Sequence, residues 1–266
     1  MRIYTLGTSH GDSTLSRFNS STVYETERGS LYLIDAGAPV EALMKRRALP
    51  LGELRACFIT HMHDDHAGGL TSLVKQVTKH FGDRPYPFSL YLPEEDAIAA
   101  FSAWFSALHE DPAAPVMRYH TVTDGVVYDD DELKVTAIRT KHLRTDGREL
   151  GEPCSFAYVL DFKTEGKKIL HTGDLYRDFS DFPAISADEH FDVCLCEATH
   201  YSPESARDAL LRAKFDKLIF IHIHDRWHND MRLRWGSVRH EGELLEYCRD
   251  YPYPCVVAHD GDEFLI

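Results

Sequence analysis

The chain has 266 residues, 43% of them hydrophobic and 27% charged, with a formal net charge of -14. That length and apolar fraction suffice for a sizeable α/β core, and in the absence of linker-like or repetitive tracts one domain spanning 1–266 is expected. The acidic balance argues against a broad basic surface for gripping long nucleic acid and favours small or locally bound substrates. No window approaches the roughly 20 apolar residues needed to cross a bilayer. MRIYTLGTS carries no leader-like apolar stretch, so a soluble, cytoplasmic protein is expected. Cys57, Cys154, Cys194, Cys196, Cys248 and Cys255 sit in apolar surroundings without C-x-x-C pairing, which reads as buried, reduced thiols.

In chain order, RIYTLG and the two runs of SSTVYETERGSLYLIDAG read as strands, the latter joined by a Glu-Arg-Gly turn. PVEALMKRR is a short helix and LRACFIT the next buried strand. From Gly68 onward, Leu70, Leu73, Val74 and Val77 recur at helical spacing, so HMHDDH lies in a strand-to-helix loop. PFSLYL is a strand, and PEEDAIAAFSAWFSALHE a helix whose Phe101, Trp104 and Phe105 are expected to form a core stripe. Strands recur at GVVY, LKVTAIRTKH, CSFAYVLDF, KKILHTGD and FDVCLCEATH. SPESARDALLRAKF is a helix with Ser202 as N-cap and proline at its first position. The strand KLIFIHIH, the helix EGELLEYCRDY and a final strand pair in CVVAHDGDEFLI complete a layered α/β pattern.

Residues two apart in an extended segment project to one side, so His61 and His63 can share one metal ion at the end of their strand. Asp65 and His66, where the chain turns into the helix, diverge toward a second position, and Gly68 and Gly69 let backbone crowd close. Further ligand types close apolar strands at His142, Asp174 and His222. With His61, His63 and His142 on one ion, Asp65, His66 and His222 on the other, and Asp174 between them, each ion has four protein ligands and a position left for water. Histidine-rich ligation suggests two Zn2+ per chain, with Mn2+ or iron as alternatives.

These residues resemble the metallo-β-lactamase fold hydrolases, whose H-x-H-x-D-H signature is matched by His61, His63, Asp65 and His66, and whose later ligands match His142, Asp174 and His222 in order. Within that superfamily the glycine turn LGTS, RFNSSTVYE, the GD ligand, CEATH and HIHDRW look most like the ribonuclease Z branch, with its phosphodiesterases. The resemblance spans nearly the whole chain and implies a four-layer αββα sandwich with its metals at one edge. It also implies that Glu197 and His200 take part in protonating the leaving group; with Asp65 they form the catalytic candidates. His224, Arg226 and His10 are candidates for substrate contact, with Arg226 suited to a phosphate oxygen. His171 is expected to be a strand residue or to stand behind the ligands, and His259 to belong to a terminal hairpin.

Two divalent ions against two carboxylates leave a positive cluster that favours an anionic substrate, and a water bridging them with a lowered pKa supplies a nucleophile near neutral pH. The expected function is therefore a dinuclear phosphodiesterase on a small or nucleotide-like diester. A lactonase or other acyl hydrolase is the alternative within the fold. A non-catalytic metal- or ligand-binding member is the alternative of another class, usually marked by lost ligands, whereas all seven are present here. The segment LRTDGRELGEP after His142 leaves no room for the long arm with which ribonuclease Z grips transfer RNA, and with the acidic charge this argues against transfer RNA as substrate. Asp64 replaces the glycine common in that branch and has no assigned role. A homodimer is compatible with the sequence.

Overall fold

The computed structural model describes residues 1–143, 154–228 and 240–266. Its first sheet has seven strands in the order β16-β1-β2-β3-β4-β5-β6, and its second has seven in the order β15-β14-β12-β10-β9-β8-β7. The first half contributes β1 (Arg2–Gly7), β2 (Ser21–Glu25), β3 (Leu31–Ile34), β4 (Leu54–Phe58), β5 (Phe88–Leu92) and β6 (Met117–Thr121). The second contributes β7 (Gly125–Asp129), β8 (Leu133–Arg139), β9 (Phe156–Phe162), β10 (Lys167–His171), β12 (Val193–Ala198), β14 (Leu218–Ile223) and β15 (Cys255–Val257). β16 (Asp262–Leu265) returns to the first sheet, and β11 (His190–Phe191) pairs with β13 (Lys214–Phe215) outside both.

Each sheet begins with antiparallel strands and continues with parallel ones: β3, β4, β5 and β6 in the first, β10, β12, β14 and β15 in the second. Parallel neighbours need crossovers. Helices α1 (Val40–Arg46), α2 (Asp64–Ala67), α3 (Leu70–His80) and α4 (Glu95–Ala107) supply them on one side, and α5 (Ile185–Asp188), α6 (Pro203–Arg212) and α7 (Glu241–Tyr247) on the other. A core containing Tyr24, Phe58, Tyr158, Leu160 and Ile219 fills the space between the sheets. Leu70, Leu73, Val74 and Val77 of α3, with Phe101 and Phe105 of α4, cover the first sheet's outer face. Ala206 and Leu210 of α6 and Leu244 of α7 cover the second. Burying such aliphatic and aromatic side chains stabilises by about 1.5–3 kcal/mol each, and the three cores define the four layers αββα. Ser202 caps α6 as expected, its hydroxyl accepting from the Ser205 amide with Pro203 in the first turn.

Three expectations are corrected. Trp104 is 61% exposed while Phe101 and Phe105 are buried; the latter two are four apart on one helix face, and Trp104 lies about 100° away from Phe105. CVVAHDGDEFLI does not form a strand pair or hairpin: β15 runs parallel to β14 while β16 runs antiparallel to β1. The chain changes sheets between them through a turn at Gly261, whose φ of 84° suits glycine. MRYHT, not anticipated as a strand, forms β6 at the first sheet's edge, its pattern obscured by residues that remain half exposed. None of the six cysteines forms a disulfide among the described residues, with Cys57, Cys194, Cys196 and Cys248 buried and Cys154 and Cys255 partly so. LRTDGRELGEP lies, but for Leu143, outside the described residues. No helix among the described residues is long and apolar enough to cross a membrane.

Candidate metal centre

Strands β1, β3, β4, β5, β8, β10, β12 and β14 all point their carboxyl ends to one edge of the sandwich, and crevices beyond such ends are where α/β folds hold ligands. His61 and His63 follow β4 in extended backbone, while Met62 between them packs against the core under the first helical layer. α2 then places Asp65 and His66, both buried, on its inner side. Its tight approach depends on Gly69: a Cβ there would lie 2.7 Å from the Ala36 carbonyl oxygen. Asp174 follows β10 after Gly173, whose φ is 56°. His222 is the extra residue where β12 and β14 slip register, Glu197 pairing with Ile221 but Ala198 with Ile223. A bulge of this kind re-aims a side chain, and the φ of 50° at His222 marks the turn of the backbone.

The seven expected ligands come together in two groups around Asp174. His61 Nε2 lies 2.9 Å from His63 Nδ1, and His142 Nε2 lies 3.4 Å from the same atom. Asp174 Oδ2 faces this group, 3.7 Å from His61 Nε2 and 3.5 Å from His142 Nε2. His66 Nε2 lies 3.2 Å from His222 Nε2, and Asp65 Oδ2 lies 3.2 and 3.1 Å from those two atoms. Asp174 Oδ1 faces this second group, 3.5 Å from His66 Nε2 and 3.6 Å from His222 Nε2. One carboxylate thus turns one oxygen to each group.

The hydrogen bonds behind the rings fix which nitrogen is bare. Asp35, at the end of β3, can only accept, so His66 Nδ1–H donates to its Oδ2 at 2.7 Å. The Thr60 hydroxyl donates to Asp35, which leaves its oxygen to accept from His61 Nδ1–H at 3.1 Å. The Thr199 hydroxyl donates to the His222 carbonyl, and so accepts from His222 Nδ1–H at 3.1 Å. Three imidazoles are held in this way with Nε2 turned inward, the arrangement that metal-ligating histidines adopt. Burial, reinforced by the charge on His66, holds His61 well below its ordinary pKa and therefore neutral. Burial also disfavours charge on His66, but Asp174 and Asp35 outweigh it and raise its pKa, so a cation entering there exchanges with a proton. Convergent ring nitrogens and the buried Asp174 Oδ1, which has no hydrogen-bond partner among the described residues, fit a pair of cations.

Glu197 and His200 stand beside Asp174. His200 Nδ1 lies 3.0 Å from both Glu197 oxygens and 3.7 Å from Asp174 Oδ2, and its ring centroid is 4.5 Å from that of His142. Burial disfavours charge on His200, yet the two carboxylates prevail and lift its pKa to about 9. His10, beyond β1, meets His224, beyond β14, with ring centroids 4.7 Å apart. Their Nδ1 atoms accept from the Asp12 and Arg226 amides respectively. Arg226 does not extend into this space: its guanidinium donates to the Thr199 and Tyr201 carbonyls at 2.9 and 3.0 Å, bracing the loop that carries His200. His171 is a core strand residue bonded to the Tyr24 hydroxyl at 2.8 Å, and Asp64 is exposed in the first turn of α2.

Several residues essential to this geometry were not anticipated. Asp35 and Thr60 stand behind His66 and His61 as just described. Asp181 accepts from the Lys141 and Tyr176 amides, joining the His142 loop to the Asp174 loop. Arg17, 1% exposed, donates to Thr8 and the Ala258 carbonyl and pairs with Glu241, fastening the loop that carries His10. Only Asp35 had a readable signal, since in LYLIDAG it closes an apolar strand just as Asp174 does in ILHTGD.

Comparison with known proteins settles the family. A profile of the family described as Anti-Pycsar protein Apyc1 matches residues 1–204. The chain belongs to the Apyc1 family. Ribonuclease Z of Natronomonas pharaonis is 35% identical over 152 residues, covering 57% of this chain and 46% of that protein. Ribonuclease Z of Halobacterium salinarum is 26% identical over an alignment covering 96% of this chain and 94% of its own length. The alignments to the first of the ribonuclease Z relatives span less than half of those proteins. Among solved structures, the metallo-β-lactamase fold protein YhfI of Bacillus subtilis superposes with a TM-score of 0.72 at 17% identity, covering 99% of this chain and 98% of that one. Human tRNase Z, short form, gives 0.73 at 19%, covering 100% and 99%. The Apyc1-family chain therefore has the metallo-β-lactamase fold and sides with the ribonuclease Z-like branch, as its motifs indicated. The expectation against transfer RNA is not borne out, because these relatives are named ribonuclease Z and tRNase Z. That expectation leaned on the segment after His142 and on net charge, an average that says little about the sign of the field at one edge.

Proposed function

We propose that this Apyc1-family protein is a dinuclear metal-dependent hydrolase that cleaves a small or nucleotide-like phosphodiester. The observation that carries the proposal is Asp174, one oxygen on each of two ligand groups, with the Glu197–His200 pair beside it. His61, His63 and His142 would hold one ion, Asp65, His66 and His222 the other, and Asp174 both; this donor set suits zinc, with manganese or iron able to use it. Two divalent ions there would supply Lewis acidity, an activated water and net positive charge toward an anionic substrate. The protein's own groups do the rest. Glu197 fixes the His200 ring through Nδ1, so that His200 presents Nε2–H to the departing oxygen as general acid. Asp65 sets the position of the second ligand group, and His10 and His224 offer ring N–H groups to the substrate from the opposite wall. Arg226 keeps the His200 loop in place.

The test is a substrate panel on one metal-loaded preparation: bis(p-nitrophenyl) phosphate, cyclic nucleotides, a precursor transfer RNA, an acyl-homoserine lactone and a β-lactam. Small-diester cleavage that disappears in Asp174→Ala supports the proposal. Turnover of the lactone or β-lactam alone would make the protein an acyl hydrolase, and cleavage of the RNA alone would refute the small-diester assignment.

A further inference from the structure

We infer that Cys248 and Cys255 are a dithiol that hydrogen peroxide oxidises to a disulfide, clamping α7 onto β15. Four of the six cysteines gather in one place. Cys194 and Cys196 on β12, Cys248 just after α7 and Cys255 at the start of β15 lie in, or pack against, the core between the second sheet and its helices. They do not converge on one point as thiolate metal ligands would: among the described residues, no group that could hold an ion contains a cysteine. Cysteines in such a core ordinarily behave as small, inert hydrophobes, and the wholly buried Cys194 and Cys196 fit that description.

Cys248 and Cys255 differ. α7 and β15 pack directly against each other, and the two thiols meet there as hydrogen-bond partners. Each sulfur is also held beside a carbonyl oxygen, Cys248 Sγ 3.6 Å from that of Leu244 and Cys255 Sγ 3.7 Å from that of Tyr253. Cys248 is 7% exposed and Cys255 partly exposed, so an oxidant from solvent reaches Cys255 first and Cys248 stands behind it. The contact with Cys248 holds the Cys255 thiol below its ordinary pKa against the opposing effect of burial, while the same contact, with burial, pushes Cys248 up. An accessible sulfur biased toward thiolate, with a protonated thiol at its side, is the arrangement that oxidation-sensitive cysteines share.

Cys255, its proton passed to solvent, attacks one peroxide oxygen: the S–O bond forms, the O–O bond breaks, and the departing hydroxide recovers a proton as water. Cys248 sulfur then attacks the sulfenic sulfur; the S–S bond forms, the S–O bond breaks, and the Cys248 proton leaves with the hydroxide as a second water. The two thiols lose two electrons and the peroxide gains them. The disulfide ties the end of α7 to the sheet. α7 also carries Glu241, the partner of the buried Arg17 that fastens the His10 loop, so the clamp secures the helix on which that loop leans.

The zinc-loaded full chain, treated with hydrogen peroxide, denatured, alkylated with iodoacetamide and digested with trypsin, tests this. Arg249 lies between the two cysteines, so the disulfide joins peptides 240–249 and 250–266, which reduction separates. Peroxide should move most of both cysteines from the alkylated to the cross-linked form and raise the melting temperature by several degrees, and dithiothreitol should reverse both changes. Cys255→Ala, at the partly exposed position, should show neither change. Cys248→Ser should leave on Cys255 a sulfenic acid that dimedone traps, and its absence overturns the order of attack. Full alkylation of both cysteines after peroxide overturns the inference. So does a cross-link between any other pair, or an oxidised wild type whose melting temperature is unchanged or lower.

Discussion

Replacing Asp35 with asparagine probes the layer that stands behind the expected ligands and holds the His66 ring. The wild-type carboxylate accepts from His66 Nδ1–H at 2.7 Å and from the Thr60 amide and hydroxyl at 2.8 and 3.0 Å, all in a buried setting. Asparagine is the informative replacement because the φ of 60° at Asp35 lies in the left-handed region, which it tolerates and alanine does not. The amide still serves Thr60 but lacks the charge that fixes the His66 ring. A hydrogen bond to a charged group contributes about 1.5–3 kcal/mol; at about 1.4 kcal/mol per decade, its loss weakens the second ion roughly 10- to 100-fold. His61, His63 and His142 do not touch Asp35, so the first ion should bind as before. Competition titration against a chelator of known affinity resolves the two binding steps. Two steps of wild-type affinity, or an equal loss in both, would refute this account of how His66 is held.

His200→Ala should slow diester turnover by about 10²- to 10⁴-fold while elemental analysis finds the metal content unchanged; unchanged turnover rules out His200 as the acid. Stripping the ions with a chelator should lower the melting temperature and restoring Zn2+ should recover it, since ions that bind only the folded site stabilise it by mass action; an unshifted transition would mean that the site takes up no ion. Gly173→Ala should cost roughly 1–2 kcal/mol, because L-residues avoid the left-handed region and the added Cβ meets the Phe156 carbonyl oxygen at 2.8 Å; a thermal shift of several degrees reads it.

Much of this architecture was legible because the strands that bear ligands are apolar runs ending abruptly in a polar residue. FIT before His61, IRTK before His142 and LHTG before Asp174 all end at the same edge of the sandwich, and spacing within HMHDDH already separated two directions. What stayed hidden depends on tertiary placement. CVV and DEFL look like a hairpin because they are adjacent and both strand-like, and only the free edges of β14 and β1 show that each joins a different sheet. Thr199 and Arg226 act through a carbonyl or a neighbouring ring, and such contacts leave no periodicity in sequence. Arg226 next to a tryptophan suggests phosphate binding until its guanidinium is seen on two carbonyls. Phe101, Trp104 and Phe105 stand at helical spacing, but Trp104 falls at the outer margin of that arc and is 61% exposed.

Metal stoichiometry of the loaded protein beside its Asp174→Ala variant tests whether Asp174 joins two ion sites. Two ions per chain are expected for the wild type and, without the residue that faces both groups, weakened occupancy at both positions together. One ion or none in the fully loaded wild type, or a variant that keeps two ions at undiminished affinity, would contradict it.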